Sequence, residues 1–244
     1  MVCKAVIFDY IGTLVNCRNY SMDASRDNLH SALVAEGFDV AKDAFLKAYT
    51  VAHEKYRKVR YEQFREVTNA VWVAEALCNI GFQVSADDYR VQAALNVFFQ
   101  DFIDTLEIRA GANKLIKQAH QQYKVGLISN FTYAPVIYKS LRHLHLNDYF
   151  HAVVVSEEHG WRKPSPHIFQ DALNKLQVQA HEAAFIGDSP IEDIKGAKDA
   201  GLKTIFVASQ FNTLKNLAES KQQPNYTAKN LKLITEKLDQ ILST

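Results

Sequence analysis

Cysteine is scarce and unpatterned here: Cys3, Cys17 and Cys78 make three, and no two share a metal-ligand or redox spacing. They supply neither a disulfide framework nor a thiolate metal site and fit reduced thiols in a cytosolic protein. An excess of charge of either sign is missing too, with 28 basic residues against 27 acidic ones and a formal net charge of +1. No global field therefore draws the chain to nucleic acid or to an anionic membrane, and the expected partner is a small molecule. No apolar stretch approaches the roughly 20 residues that would cross a bilayer. The N-terminus also lacks a basic segment followed by an apolar stretch and a small-residue cleavage site, so the expected location is the cytoplasm. There is no internal repeat and no low-complexity tract.

What the chain does have is apolar mass, 48% of 244 residues, enough for one large core or a core with a smaller appendage. Its organising stretch is Ala5 to Phe8, a short continuous apolar run that suits a strand buried on both faces at the centre of a parallel sheet. The run ends on Asp9, at the carboxyl end of a strand, where open α/β folds place reacting groups. Gly12 then permits a tight turn, and Thr13 brings a hydroxyl back towards the acid.

From about Ser21 to about Glu107 the periodicity is helical. One stripe (Leu29, Ala32, Leu33, Phe38) closes at Gly37, and a second runs through Phe45, Tyr49 and Ala52 to a basic end. A third helix spans roughly Val67 to Ile80, and a fourth is expected to start from Ser85 as N-cap, with Asp87 and Asp88 in its first turn. Strand–helix alternation then resumes, with strands at Val125 to Ser129, Ala152 to Val155, Ala183 to Ile186 and Thr204 to Val207. One helix is expected between Ser189 and Gly201, and a last one carries Leu231, Ile234, Leu238 and Ile241. Such alternation predicts a Rossmann-like, doubly wound parallel sheet with an inserted α-helical domain. The expected division is 1–16 with 106–244 for the α/β core and 17–105 for the helical insert.

Four strand ends carry polar groups: Asp9; Ser129 followed by Asn130; Lys163 in the run Gly160 to Phe169; and Asp188 with Asp193 after Gly187. Alone each is weak, because a Gly-Asp-Ser turn is commonly a helix N-cap and a Lys-Pro pair a surface turn. In this order they resemble the motifs of the haloacid dehalogenase superfamily of hydrolases, in the subfamily whose helical cap follows the first strand. The resemblance implies Asp9 as nucleophile, Ser129 as a hydroxyl on a phosphoryl oxygen, Lys163 as the neutralising cation, and Asp188 with Asp193 as the acidic pair that holds magnesium. Thr13 and Asn130 are further candidate substrate contacts. The residues agree with this physically, since three converging carboxylates would repel one another without a cation between them, and oxygen-only ligands suit Mg²⁺.

One position departs from the pattern. The superfamily's phosphatases usually read Asp-x-Asp-Gly-Thr, and Ile11 stands where the second Asp, the general acid and base, is expected. General acid–base catalysis contributes about 10²–10⁴-fold, so its loss slows turnover without removing it. The metal contact at this position comes from a main-chain carbonyl in the family, which Ile11 can supply. The leading expectation is a magnesium-dependent phosphatase acting on a small phosphorylated metabolite through an aspartyl-phosphate. A 2-haloacid dehalogenase-like enzyme, a phosphonate hydrolase and a non-catalytic phosphate-ligand binder are the alternatives. In the insert, Arg60 is the candidate to meet a carboxylate or second phosphate of the substrate, and His159 and Trp161 lie just before Lys163 in sequence. Both a monomer and a homodimer, the latter through the apolar faces of the insert helices, agree with the sequence.

Overall fold

The computed structural model describes residues 2–243. Two compact units divide the chain, one taking the residues up to Cys17 and from Glu107 onward, the other Arg18–Leu106. The first unit opens with β1 (Ala5–Phe8), every residue of which is buried, and continues to β2 (Val15–Cys17). The chain then enters the helical unit through α1 (Met22–Ala35), α2 (Lys42–Glu62), α3 (Asn69–Cys78) and α4 (Tyr89–Asp104). It returns along β3 (Leu106–Ile108), which pairs with β2.

Alternation follows: α5 (Ala112–Gln122), β4 (Lys124–Ser129), α6 (Ala134–His143), β5 (Ala152–Val155), α7 (Ser156–His159) and α8 (Pro166–Leu176). Then come β6 (Ala183–Gly187), α9 (Gly196–Asp199), β7 (Lys203–Val207), α10 (Leu214–Ser220), β8 (Tyr226–Ala228) and α11 (Leu231–Ser243). The sheet order is β5-β4-β1-β6-β7-β8, and all neighbours are parallel. Ala5 pairs with Lys124 on one side and with Ala183 on the other, which makes β1 central. Because side chains alternate along a strand, Ala5 and Ile7 share a face, and they pack with Ile128, Phe169 and Phe185 under α8. Gly126 permits this closeness, as a methyl there would come within 2.9 Å of Leu176.

In the helical unit α1 packs on α4 and α2 on α3, burying Leu29 and Leu33 of α1 and Phe98 of α4. Helix α1 is capped by Ser21, whose hydroxyl accepts the Ala24 N–H. The start of α4 differs from the sequence expectation: Ser85 closes a turn by accepting the Asp88 N–H, and Asp88 is the cap. Its carboxylate accepts both the Arg90 N–H and the Arg90 guanidinium, so a cap and an ion pair together select it over Ser85. A second difference follows β6. Instead of one helix from Ser189, residues Pro190–Lys195 form a wide turn in which Ile194 N–H reaches back to Ser189 O, and α9 is a single turn. Such wide turns recur at functional sites. Among the described residues no helix is long and apolar enough to cross a membrane.

Candidate active site

Asp9 leaves the sheet with its N–H donating to Ile186 O at 2.9 Å, which holds it at the carboxyl ends of β1 and β6. The turn beyond it needs glycine at position 12, where φ is +96° and a methyl would lie 2.7 Å from Asp188 Oδ2. Thr13, fully buried, directs its hydroxyl at Asp188 Oδ1 over 3.4 Å. Tyr10 turns away and bonds the Ser140 hydroxyl at 2.9 Å; burial pushes its phenol far up.

Lys163 is 1% exposed, and its ammonium donates to Asp9 Oδ1 at 2.7 Å and to Ile128 O at 3.0 Å while lying 2.7 Å from Asp193 Oδ1. Asn130 grips the main chain of that lysine, accepting its N–H at 2.8 Å and donating to its carbonyl at 2.9 Å. The Asn130 amide therefore sets the lysine, and Ser129, buried at the end of β4, stands next to it in sequence. The wide turn after β6 brings Asp193 back, where the Ser189 N–H donates to its Oδ2 at 2.8 Å. A methyl on Gly187 would fall on the Asp193 carboxylate, so the close return requires glycine there.

Asp9, Asp188 and Asp193 are all buried, and each offers an oxygen lying within 4.8 Å of the others. Burial, followed by the charge of Asp9, pushes Asp188 up to about 6 against the hydrogen bonds it receives. Asp193 is pushed well above the carboxylate range, again by burial, with Lys163 opposing and Asp9 and Asp188 reinforcing. Burial alone would push the Lys163 ammonium down, but Asp193 and Asp9 outweigh it and hold it above its ordinary value. One ammonium faces three buried carboxyl groups, and Asp9 Oδ2 is buried without a hydrogen-bond partner. The donor set is oxygen only, which fits a hard divalent cation of the Mg²⁺ class.

Three positioning residues were not anticipated. Ser209 donates to Asp188 Oδ2 at 2.6 Å and Asn212 to the same oxygen at 3.1 Å, both from the loop after β7. Arg109 donates to the carbonyls of Gly12, of Thr13 at 3.0 Å and of Ala208 at 2.6 Å, tying the nucleophile's turn to the end of β7. Ser209 and Asn212 follow β7, a strand the sequence shows, whereas Arg109 follows β3, which the sequence does not show. Of the others, Ile11 is half-buried and bridges to Val15, and Trp161 packs on His167 with ring centres 4.6 Å apart. Arg60 belongs to the helical unit, where its guanidinium donates to Glu66 at 2.6 Å.

The family model described as haloacid dehalogenase-like hydrolase matches residues 3–201. A glyceraldehyde 3-phosphate phosphatase of Methanothermobacter thermautotrophicus is 34% identical over 210 residues, covering 85% of this chain and 86% of the relative. A protein of the same name from Pyrococcus abyssi is 39% identical over 97 residues, 39% of this chain, and the match spans only 40% of that relative's length. Among solved structures, a 2-haloacid dehalogenase from Pseudomonas syringae pv. tomato DC3000 superposes with a TM-score of 0.70 over 99% of both chains at 22% identity, a likeness of fold.

Proposed function

Because the chain belongs to the haloacid dehalogenase-like hydrolases, we propose that it hydrolyses a small phosphate monoester through an aspartyl-phosphate on Asp9, with Mg²⁺ as its cofactor. The observation that carries this reading is the lysine bridge: Lys163 takes one oxygen of Asp9 and leaves Oδ2 without a partner. A carboxylate fixed in this way has one oxygen oriented by the ammonium and the other available for attack. The retained acids Asp188 and Asp193, which with Asp9 form an oxygen-only cluster, support a metal-holding, phosphate-directed site. Relatives named for glyceraldehyde 3-phosphate support a phosphorylated metabolite of that size.

In this reading Asp9 Oδ2 attacks phosphorus as the P–O bond to the leaving group breaks and solvent protonates the departing oxygen; water then attacks phosphorus of the aspartyl-phosphate, gives its proton to solvent, and releases phosphate and free Asp9. Lys163 offsets the charge of nucleophile and phosphoryl group, and the Ser129 and Thr13 hydroxyls donate to phosphoryl oxygens. Asp9, Asp188, Asp193 and the Ile11 carbonyl would hold Mg²⁺, which when bound neutralises phosphate charge. Ile11 carries no proton for the leaving oxygen, so the rate depends steeply on how good that leaving group is. Residues of the helical unit, Arg60 among them, serve substrate selection.

The test is phosphate release from acetyl phosphate, p-nitrophenyl phosphate and glyceraldehyde 3-phosphate, with magnesium or with chelator, beside Asp9→Asn and beside chloride release from 2-chloropropionate. Magnesium-dependent release abolished by Asp9→Asn is expected, fastest on acetyl phosphate. Ile11→Asp should speed the alkyl ester by about 10²–10⁴-fold and acetyl phosphate far less. Chloride release without phosphate release would overturn the reading.

A further inference from the structure

The groups of the catalytic cluster are not equally anchored. Asp9, Ser129 and Asp188 stand at or just past the ends of β1, β4 and β6, where the sheet fixes their main chain. Lys163 lies between α7 and α8, and Asp193 lies in the wide turn at Pro190–Lys195, so neither has a strand beneath it. Asn130 ties the lysine to the end of β4, and the Ser189 N–H holds the Asp193 carboxylate within its own turn. A reacting constellation has to be held to within about 0.5 Å, and these two contacts do not join one loop to the other.

Three contacts in register do join them. The Arg162 guanidinium donates to Glu192 Oε1 at 2.8 Å. One residue further along each loop, the Lys163 ammonium lies 2.7 Å from Asp193 Oδ1. Beyond that, Pro164 meets Gly196, where a methyl would come within 2.9 Å of the Pro164 Cα and 2.8 Å of the Phe169 ring. The middle contact is the catalytic one. The outer two flank it and use none of the three carboxylates that face one another.

Arg162 is 3% exposed and Glu192 28%. A guanidinium buried to that degree is costly to desolvate, and a carboxylate offsets the cost only in close geometry. Glu192 is fixed in turn, its N–H donating to the Ser189 hydroxyl at 3.1 Å. The turn that carries Asp193 therefore cannot shift without withdrawing a carboxylate from a buried cation. In the phosphatase reading Asp193 serves both Lys163 and Mg²⁺, so the middle contact is divided, and the outer ion pair keeps the spacing.

We propose that Arg162 and Glu192 are positioning residues, whose ion pair locks the Asp193 turn to the Lys163 segment and sets the affinity of the carboxylate cluster for a divalent cation. The kinetic consequence rests on the phosphatase reading, and the metal consequence on the geometry of the acids alone.

The experiment is titration calorimetry of magnesium chloride into the full chain, and Arg162→Met is the decisive variant because charge and position predict opposite signs. Removing a cation beside an acidic cluster strengthens magnesium binding through charge alone, whereas loosening Asp193 weakens it. About tenfold weaker binding is expected, with Arg162→Lys recovering part of it. Glu192→Ala, at the more exposed partner, should weaken binding to a similar degree, and the loss should persist in about 0.5 M potassium chloride, which screens a long-range charge effect. The double variant should be no weaker than the weaker single one. On acetyl phosphate at saturating magnesium, kcat should fall about tenfold with KM little changed. Magnesium binding by Arg162→Met as tight as in the parent, or tighter, would overturn the proposal, as would losses that simply add in the double variant. Should Arg162→Met not fold, Glu192→Ala decides alone: a loss that salt abolishes overturns the proposal, and one that salt leaves intact upholds it. A parent chain that binds magnesium but releases no phosphate fails the phosphatase reading only, and one that binds no magnesium fails both.

Discussion

Replacing Arg109 by methionine keeps the aliphatic stem and removes three donors at once. The guanidinium serves Gly12 O, Thr13 O and Ala208 O, so the change frees both carbonyls of the nucleophile's turn and cuts its link to the end of β7. A hydrogen bond from a charged donor contributes about 1.5–3 kcal/mol, but three on one side chain do not add, and water can replace those at the open side of a half-buried residue. Burial, opposed by Asp188 and Asp9, also lowers the Arg109 pKa, which means that desolvating the guanidinium already offsets part of the gain. The expected loss in metal-free buffer is therefore about 2–4 kcal/mol, read from urea unfolding. Turnover should suffer separately. A displacement near 1 Å at a reacting group costs about 10²-fold, so kcat on acetyl phosphate should fall by about 10–100-fold with KM little changed. Arg109→Lys should fall between, because one ammonium cannot span carbonyls on two loops. If Arg109→Met stays within about 0.5 kcal/mol and threefold of the parent, the clamp is idle and the reasoning fails.

Two further expectations concern the carboxylate cluster. Lys163→Met strands Asp9 and Asp193 in a buried site and should cost about 3–5 kcal/mol in metal-free buffer, with magnesium recovering part of it; a urea midpoint matching the parent would contradict the buried pair. Asp188, pushed up to about 6 from an ordinary 3.8, binds its proton more tightly folded than unfolded. The metal-free protein should therefore gain stability from this group as pH falls from 7 towards 4, on the order of 3 kcal/mol in all. Asp188→Asn should flatten that slope, and equal slopes in parent and variant would refute the assignment.

Much of the sheet was legible because β1, β4 and β6 are short continuous apolar runs that end on polar residues, a pattern with few other solutions. Asp9, Ser129 and Asp188 stand at or just past such strand ends, whereas Lys163 lies between α7 and α8 and Arg60 within α2. Less of the chain between elements could be read. The wide turn at Pro190–Lys195 has the composition of an ordinary helix start, and what distinguishes it, the close return of Asp193 onto Gly187 and the Ser189 N–H, is a packing feature. Ser85 and Asp88 are both competent caps, and Arg90 decides between them. Arg109 and Ser209 escaped because what they hold, main-chain carbonyls and one carboxylate oxygen, lies far away in sequence.

The central place of β1 also fixes an order of assembly. Its partners at Lys124 and Ala183 lie about 120 and about 180 residues downstream. At a synthesis rate of about 5–20 residues per second the strand waits roughly 10–40 s for its second neighbour. The helical unit, whose contacts close within Arg18–Leu106, needs no such wait and can form first. Asp9 is thus made well before its partners, and its acidic set is complete only when Asp193 has emerged. Until then four apolar residues ending on a carboxylate have no sheet to join, and an unpaired strand of that kind is a template for pairing with another chain.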